Sequence, residues 1–212
     1  MVRFSGRVAA VKPRIGLHRS FDQVWHSYRG YVLVLENGPR VGIGPAAQAK
    51  HRFRIGDTVE GEAELVPDPR AEWAELYKVR RLRISSRGAE SEDRPADPDG
   101  GIAPPLEEYR ARGHRRLDPR THARSCERCP FGAVMATDIT LDQWQPWKKR
   151  WRLETHCYGP RDCPRYRAGR ARSVPGRKPG MVFVDDGVER EAEDARWRDR
   201  ESNVVDLWDP NR

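Results

Sequence analysis

Four cysteines, the whole complement of the chain, fall in two pairs: Cys126 with Cys129, and Cys157 with Cys163. Around them the sequence reads Cys-Glu-Arg-Cys-Pro-Phe-Gly from 126 and Cys-Tyr-Gly-Pro-Arg-Asp-Cys-Pro from 157. Two turn-rich loops would thus each offer two thiolates to a common point. Four soft sulfur ligands suit a tetrahedral zinc ion or an iron–sulfur cluster and disfavour hard cations. The shorter gap serves either centre, whereas the longer one is unusual for zinc and easier around a bulkier 4Fe-4S cluster. Zinc is the expectation and a 4Fe-4S cluster the alternative. Three other uses of thiols compete with both. A pair of disulfides is disfavoured because the opening Met-Val-Arg-Phe has no apolar leader, which points to a reducing cytoplasm. Buried free thiols would make the paired spacing a coincidence. A redox dithiol at Cys126 and Cys129 would leave Cys157 and Cys163 unexplained. His156, beside Cys157, is a substitute ligand that four cysteines make unnecessary.

The rest of the chain must position these loops. Its 212 residues are 37% hydrophobic and 34% charged, which suits two small units better than one large core. No apolar run approaches the ~20 residues that span a bilayer, so no membrane partner is expected. The net charge of +8 is unevenly placed: +6 over 1–86, −3 over 87–106, +10 over 107–180 and −5 over 181–212. Two basic units separated by an acidic linker and followed by an acidic tail form the layout of a polyanion binder. A coding bias is the bland alternative, since 34 arginines accompany only 6 lysines.

Residues 1–86 read as short strands. Val2 to Val11 alternates, Tyr31 to Leu35 is a continuous apolar run, Val41 and Ile43 alternate between glycines, and Thr58 to Val66 and Leu76 to Ile84 supply two more. Pro45 to Lys50 offers a helical turn between the third and fourth strands. This order, with the turn Phe53-Arg-Ile-Gly-Asp-Thr-Val59, resembles the OB-fold, a five-stranded barrel. The resemblance implies a ligand lying across the second and third strands, between the loops joining strands 1–2 and 4–5. The first of those loops, expected over Lys12 to Gly30, carries Lys12, Arg14, Arg19, Phe21, Trp25, Tyr28 and Arg29; the second adds Arg70 and Trp73. Cations interleaved with aromatic rings are what single-stranded nucleic acid requires, because guanidinium groups follow phosphates while rings stack on bases. The alternative folds Phe21, Trp25 and Trp73 back as a satellite core, and a third reading uses the barrel as a protein-binding platform.

Residues 87–106 are acidic, rich in proline and glycine and nearly free of large apolar groups, the composition of a mobile connector. A basic module follows over 107–180. Its expected elements are a helix starting near Leu106, a strand from Val134 to Leu141, and a helical face carrying Trp144, Trp147 and Trp151, at least two of them as core over the metal. Lys148, Lys149, Arg150, Arg152, Arg165 and Arg167 would face outward as phosphate contacts. With so few aliphatic groups this module would need the metal to fold. The tail from 181 ends in an apolar cluster, Val204 to Trp208, that would dock a protein partner or fold back.

The fold class expected is therefore β-rich α+β, with a five-stranded OB-like barrel and a small four-cysteine module stapled by metal. No Gly-rich phosphate loop, activated nucleophile or paired carboxylate is recognisable, which favours binding over catalysis. A nucleic-acid-binding protein for single-stranded DNA or RNA leads. An iron–sulfur protein with a redox or catalytic task, and a scaffold in a ribonucleoprotein or DNA-processing assembly, are the alternatives.

Overall fold

The computed structural model describes residues 1–88, 102–170 and 174–176. They form β1 (Val2–Arg19), β2 (Val24–Leu35), β3 (Arg40–Ile43), α1 (Pro45–His51), β4 (Thr58–Leu65), β5 (Leu76–Ser86), α2 (Leu106–Arg112), β6 (Arg115–Arg116), α3 (Pro119–Thr121), β7 (Gly132–Thr140) and β8 (Lys149–Cys157). A π-helical turn over His122–Cys126 follows α3 directly. The eight strands make one mixed sheet in the order β2-β3-β5-β4-β1-β7-β8-β6, with an additional pairing of β2 to β1.

β1 organises the molecule because its 18 residues exceed what one partner needs. Its first segment, Val2 to Arg7, pairs antiparallel with β4 from Ala63 to Thr58. From Val8 to Arg19 it pairs with β2, and over Gly16 to Arg19 it also pairs in parallel with Ala136 to Ile139 of β7. Two register shifts along β1 and β2, at Val8/Ala10 and Arg14/Ile15, let the strand bend from one set of neighbours to the next. The second shift makes Arg29 the extra residue and is followed by Gly30 at φ +129. A Cβ at Gly30 would lie 2.1 Å from the Ile43 carbonyl oxygen, so glycine is needed there.

Two expectations change. The stretch from Lys12 to Gly30 is not a loop but the outer half of a long hairpin, paired from Lys12↔Val32 to Arg19↔Val24. Its charges had hidden the strand pattern, because several of them are buried against partners far along the chain. The tryptophans do not share a helical face. Pro146 and two tight turns, Gln145 N–H to Asp142 O (3.2 Å) and Lys148 N–H to Gln145 O (2.8 Å), make 141–148 a connection, and Trp151 lies in β8. Trp144 and Trp147 are 80% and 72% exposed, so they are not core.

The second half does not appear as a separate module stapled around cysteines. β7 extends the sheet from β1, and one hydrophobic cluster runs from Phe4, Val8, Leu33, Leu35 and Val59 to Tyr109, Phe131, Met135 and Tyr158. Burial of that shared core, at roughly 25 cal/mol per Å² of apolar surface, joins the halves. The expected strand and docking segment in the tail, and most of the acidic connector, lie outside the described residues. Among the described residues no helix is long and apolar enough to cross a membrane.

Candidate nucleic-acid interface and cysteine cluster

The cysteine corner is built by turns at the ends of β7 and β8. Asp118 caps α3, accepting from the Thr121 N–H at 2.9 Å, and the π-helical turn carries the chain to Cys126. Two successive turns follow, Cys129 N–H to Cys126 O (3.2 Å) and Gly132 N–H to Cys129 O (3.0 Å). A Cβ at Gly132 would sit 2.5 Å from the Cys126 carbonyl oxygen, so only glycine lets the chain leave this knuckle into β7. Cys157 ends β8 opposite Gly132 and Arg115. Its sulfur accepts from the Gly159 N–H at 3.3 Å and lies 4.0 Å from Arg115 Nη2. Cys163 occupies the following turn, its N–H bonded to Pro160 O at 3.3 Å.

All four cysteines are free thiols. Burial raises the Cys126 thiol first, and Cys129, Cys157 and Cys163 raise it further, so the four lie within one another's electrostatic reach. Among the described residues, no three His, Cys, Asp or Glu side chains are set to hold a metal ion as they stand. Four thiols, two of them buried, with Lys12 and Arg115 nearby, are the donor type that a soft metal would take.

The nearest of those cations is Lys12, 1% exposed. Its ammonium donates to the carbonyl oxygens of Cys126 (2.8 Å), Cys129 (2.6 Å) and Gly132 (2.8 Å), fixing the whole first knuckle. Burial pulls its pKa down to about 8, and Cys129, Cys126, Glu127 and Cys157 pull the other way. It therefore stays cationic at neutral pH and lowers the thiols of Cys126 and Cys129 in turn.

Residues opposite one another in a sheet share a face. The pairings His18↔Trp25, His18↔Asp138 and Asp138↔Trp151 therefore set Trp25, His18, Asp138 and Trp151 in one row across four strands. His18 stacks on Trp25 with ring centroids 5.0 Å apart, and its Nδ1 lies 2.7 Å from Asp138 Oδ1. Lys149 donates to Asp138 Oδ2 and stands 5.9 Å from the centre of the Trp151 ring. The next row on this face is Ser27, Gly16, Ala136 and exposed Leu153, a shallow floor of mostly small side chains. Beyond the hairpin end of β7 and β8 stand exposed Trp144, Trp147 and Lys148. The same parity puts Cys157 on this face, at the opposite end of β8 from Trp151.

Not every expected contact residue reaches this surface. Lys12 is committed to carbonyls, and Arg19 is buried in an ion pair with Glu154 at 2.8 Å. Both are corrected from phosphate contacts to internal groups, since neither offers a charge to solvent. Arg14 is held by Glu72 at 2.7 Å, and Arg29, on the bulge, stands 3.5 Å from the same carboxylate. Tyr28 lies under Arg110, with the guanidinium 4.9 Å from the ring centre, and Trp73 lies under Arg40 at 5.6 Å. Phe21 is half-buried, close to Gly176. Arg70 is exposed but forked onto Asp68 at 2.9 Å. Arg152 turns to Glu154 on the reverse face, and exposed Arg150, opposite Ile139, lies on that face too, whereas Trp25, Lys148, Lys149, Arg165 and Arg167 remain exposed. His18, Asp138 and Trp151 were not expected in a site. Their signal is cross-strand register, which a single sequence does not carry. Comparison with protein-family models, curated proteins and solved structures finds no match to this chain.

Proposed function

We propose that this chain binds single-stranded nucleic acid on the face of the β2–β1–β7–β8 sheet, with a structural zinc ion at one end of that face. The observation that carries the reading is the row of Trp25, His18, Asp138 and Trp151 over a floor of Ser27, Gly16, Ala136 and Leu153, continued by exposed Trp144 and Trp147 beside Lys148 and Lys149. Exposed rings stack on bases whatever their sequence, and interleaved cations neutralise the backbone. The pairing of β1 with β2 and β4, and of β3 with β5, supports an OB-like barrel whose first two strands are drawn out into a binding arm. Cys126, Cys129, Cys157 and Cys163 would hold the zinc, and Lys12 and Arg115 would offset the negative charge of four thiolates. Bound there, the metal supplies a cross-link between the ends of β7 and β8.

Fluorescence anisotropy with a labelled single-stranded oligonucleotide tests the interface. Trp147→Ala is expected to weaken binding about tenfold, from ~1–3 kcal/mol per stacked base, with an unchanged melting temperature because the ring is exposed. Binding should also fall steeply with salt. Unchanged affinity in both Trp144→Ala and Trp147→Ala would place the nucleic acid elsewhere. For the metal, elemental assay should find one zinc per chain, and Cys126→Ser should lose it together with several degrees of melting temperature. A brown protein containing iron would replace zinc by a cluster, and no metal at all would remove the centre from this reading.

A further inference from the structure

Strand β2 and the helices α1 and α2 together wall a cleft that the aromatic row does not use. It encloses a cavity of about 680 Å³, within the roughly 300–1,000 Å³ of pockets that take small molecules. From β2 it is lined by Tyr28 and Tyr31. Tyr28 precedes no residue of the row's face: it follows Ser27 in the strand and therefore points to the opposite side of the sheet. Tyr31 is buried and spends its hydroxyl on Pro104 O at 2.9 Å. Burial, and after it the Glu107 carboxylate, hold the Tyr31 pKa up at about 12, so the phenol keeps its proton and the ring is neutral.

The helices contribute small and apolar groups. Ala46 and Ala49 of α1 are three residues apart, hence on one helical face, and both are exposed, so the cavity opens to solvent beside them. Pro105 and Leu106 line it from the start of α2. Gln48, the amide in the lining, is buried and donates its Nε2 to Phe53 O at 3.2 Å. The charged lining residues Arg52, Glu107 and Arg110 are exposed and form the mouth. The Arg110 guanidinium lies 4.9 Å from the centre of the Tyr28 ring. Among the described residues neither Arg52 nor Arg110 has a carboxylate within ion-pair distance. Two guanidinium groups against one carboxylate give the mouth a net positive charge.

We propose that this cleft binds a small aromatic carboxylate, with its rings against Tyr28, Tyr31 and the two alanines and its carboxylate at Arg52 and Arg110. Tyrosine and proline rings offer flat apolar surface to a planar guest, and the guanidinium fork matches a carboxylate. A nucleobase fits less well, since its polar edges would be buried against alanine, proline and leucine without partners. The site shares no residue with the aromatic row and does not depend on single-stranded nucleic acid binding there.

Fluorescence titration of the full chain with anilinonaphthalene sulfonate, an aromatic anion that brightens in apolar surroundings, tests it. Saturable one-site binding is expected, displaced by naphthoate and not by a nucleoside monophosphate. Ala49→Trp, a bulky ring at an exposed position in the lining, should abolish binding with the melting temperature unchanged; Ala46→Trp blocks the cavity from the preceding turn and serves if the first variant disturbs the fold. Arg52→Gln and Arg110→Gln should each weaken the sulfonate about threefold, the worth of an exposed charge pair, and about tenfold together. Neither should alter the binding of phenylnaphthylamine, which has the same rings and no sulfonate. Dye binding that does not saturate, or that survives both tryptophan variants, overturns the site. Displacement by the nucleotide and not by naphthoate, or equal loss of both dyes when the two arginines are replaced, overturns the choice of ligand. Oligonucleotide affinity, expected unchanged in Ala49→Trp, reads the aromatic face separately, so either conclusion can fail alone.

Discussion

Glu154→Ala is expected to destabilise the folded chain by about 3–5 kcal/mol, the range found when one partner of a buried ion pair is removed. The effect is large because the carboxylate serves three guanidinium groups, one of which, Arg19, cannot reach solvent. Burial already lowers the Arg19 pKa, and Glu154 opposes that shift while Arg116 and Arg152 add to it. Without Glu154 only the unfavourable influences remain, and a guanidinium does not relieve them by losing its proton. Against a total stability of roughly 5–15 kcal/mol, the loss is a large fraction. Urea denaturation followed by far-UV circular dichroism checks it, and a change below about 1 kcal/mol would mean that the arginines find other partners. Arg152→Gln, at the exposed side of the cluster, should cost far less.

The parts of the fold that could be read from sequence are those whose burial follows local periodicity. Tyr31 to Leu35, Val41 to Ile43 and Thr58 to Leu65 alternate or run apolar between glycines and turns, and they are strands. The arm from Lys12 to Arg29 escaped because its buried positions include Lys12 and Arg19, residues that read as surface. Their partners are distant: the carbonyls held by Lys12 lie 114 to 120 residues away, and Glu154 lies 135 from Arg19. No window of sequence contains both members of such a pair. The cysteine pairs were readable from spacing alone, whereas the cation that braces them was not, since its acceptors are backbone atoms available at every residue. The tryptophans misled for the opposite reason. Helical spacing from 144 to 151 is real in the sequence, but Asp142 and Pro146 favour turns, and the basic run after them pairs with β7 as a strand. What the arm and the hairpin share is a dependence on cross-strand register, which sets His18 against both Trp25 and Asp138.

Lys12→Met carries the other large effect, and it separates packing from charge. Methionine fills nearly the same volume, so the carbonyls of Cys126, Cys129 and Gly132 lose the ammonium without a cavity opening, while Cys126 O and Cys129 O each keep a turn N–H. Losing three charge-assisted bonds while two of the acceptors keep a backbone donor costs about 1–3 kcal/mol in all. Removing a buried ammonium returns part of that sum, because burial is the larger influence on Lys12 and disfavours its charged form. A net destabilisation of about 1–2 kcal/mol is expected, measured by urea denaturation in the presence of a chelator so that no metal contributes. The second consequence concerns the thiols. Lys12 lowers the pKa of both Cys126 and Cys129, so without it both deprotonate at higher pH. Zinc binds thiolate, and the variant should therefore hold zinc more weakly than the parent at pH 7, with the difference shrinking as pH rises and both proteins ionise. Competition with a chromophoric chelator at several pH values measures this directly. Loss of stability with zinc affinity unchanged would confine Lys12 to bracing the knuckle. Loss of both makes one buried cation responsible for the shape of the cysteine corner and for its readiness to take a metal.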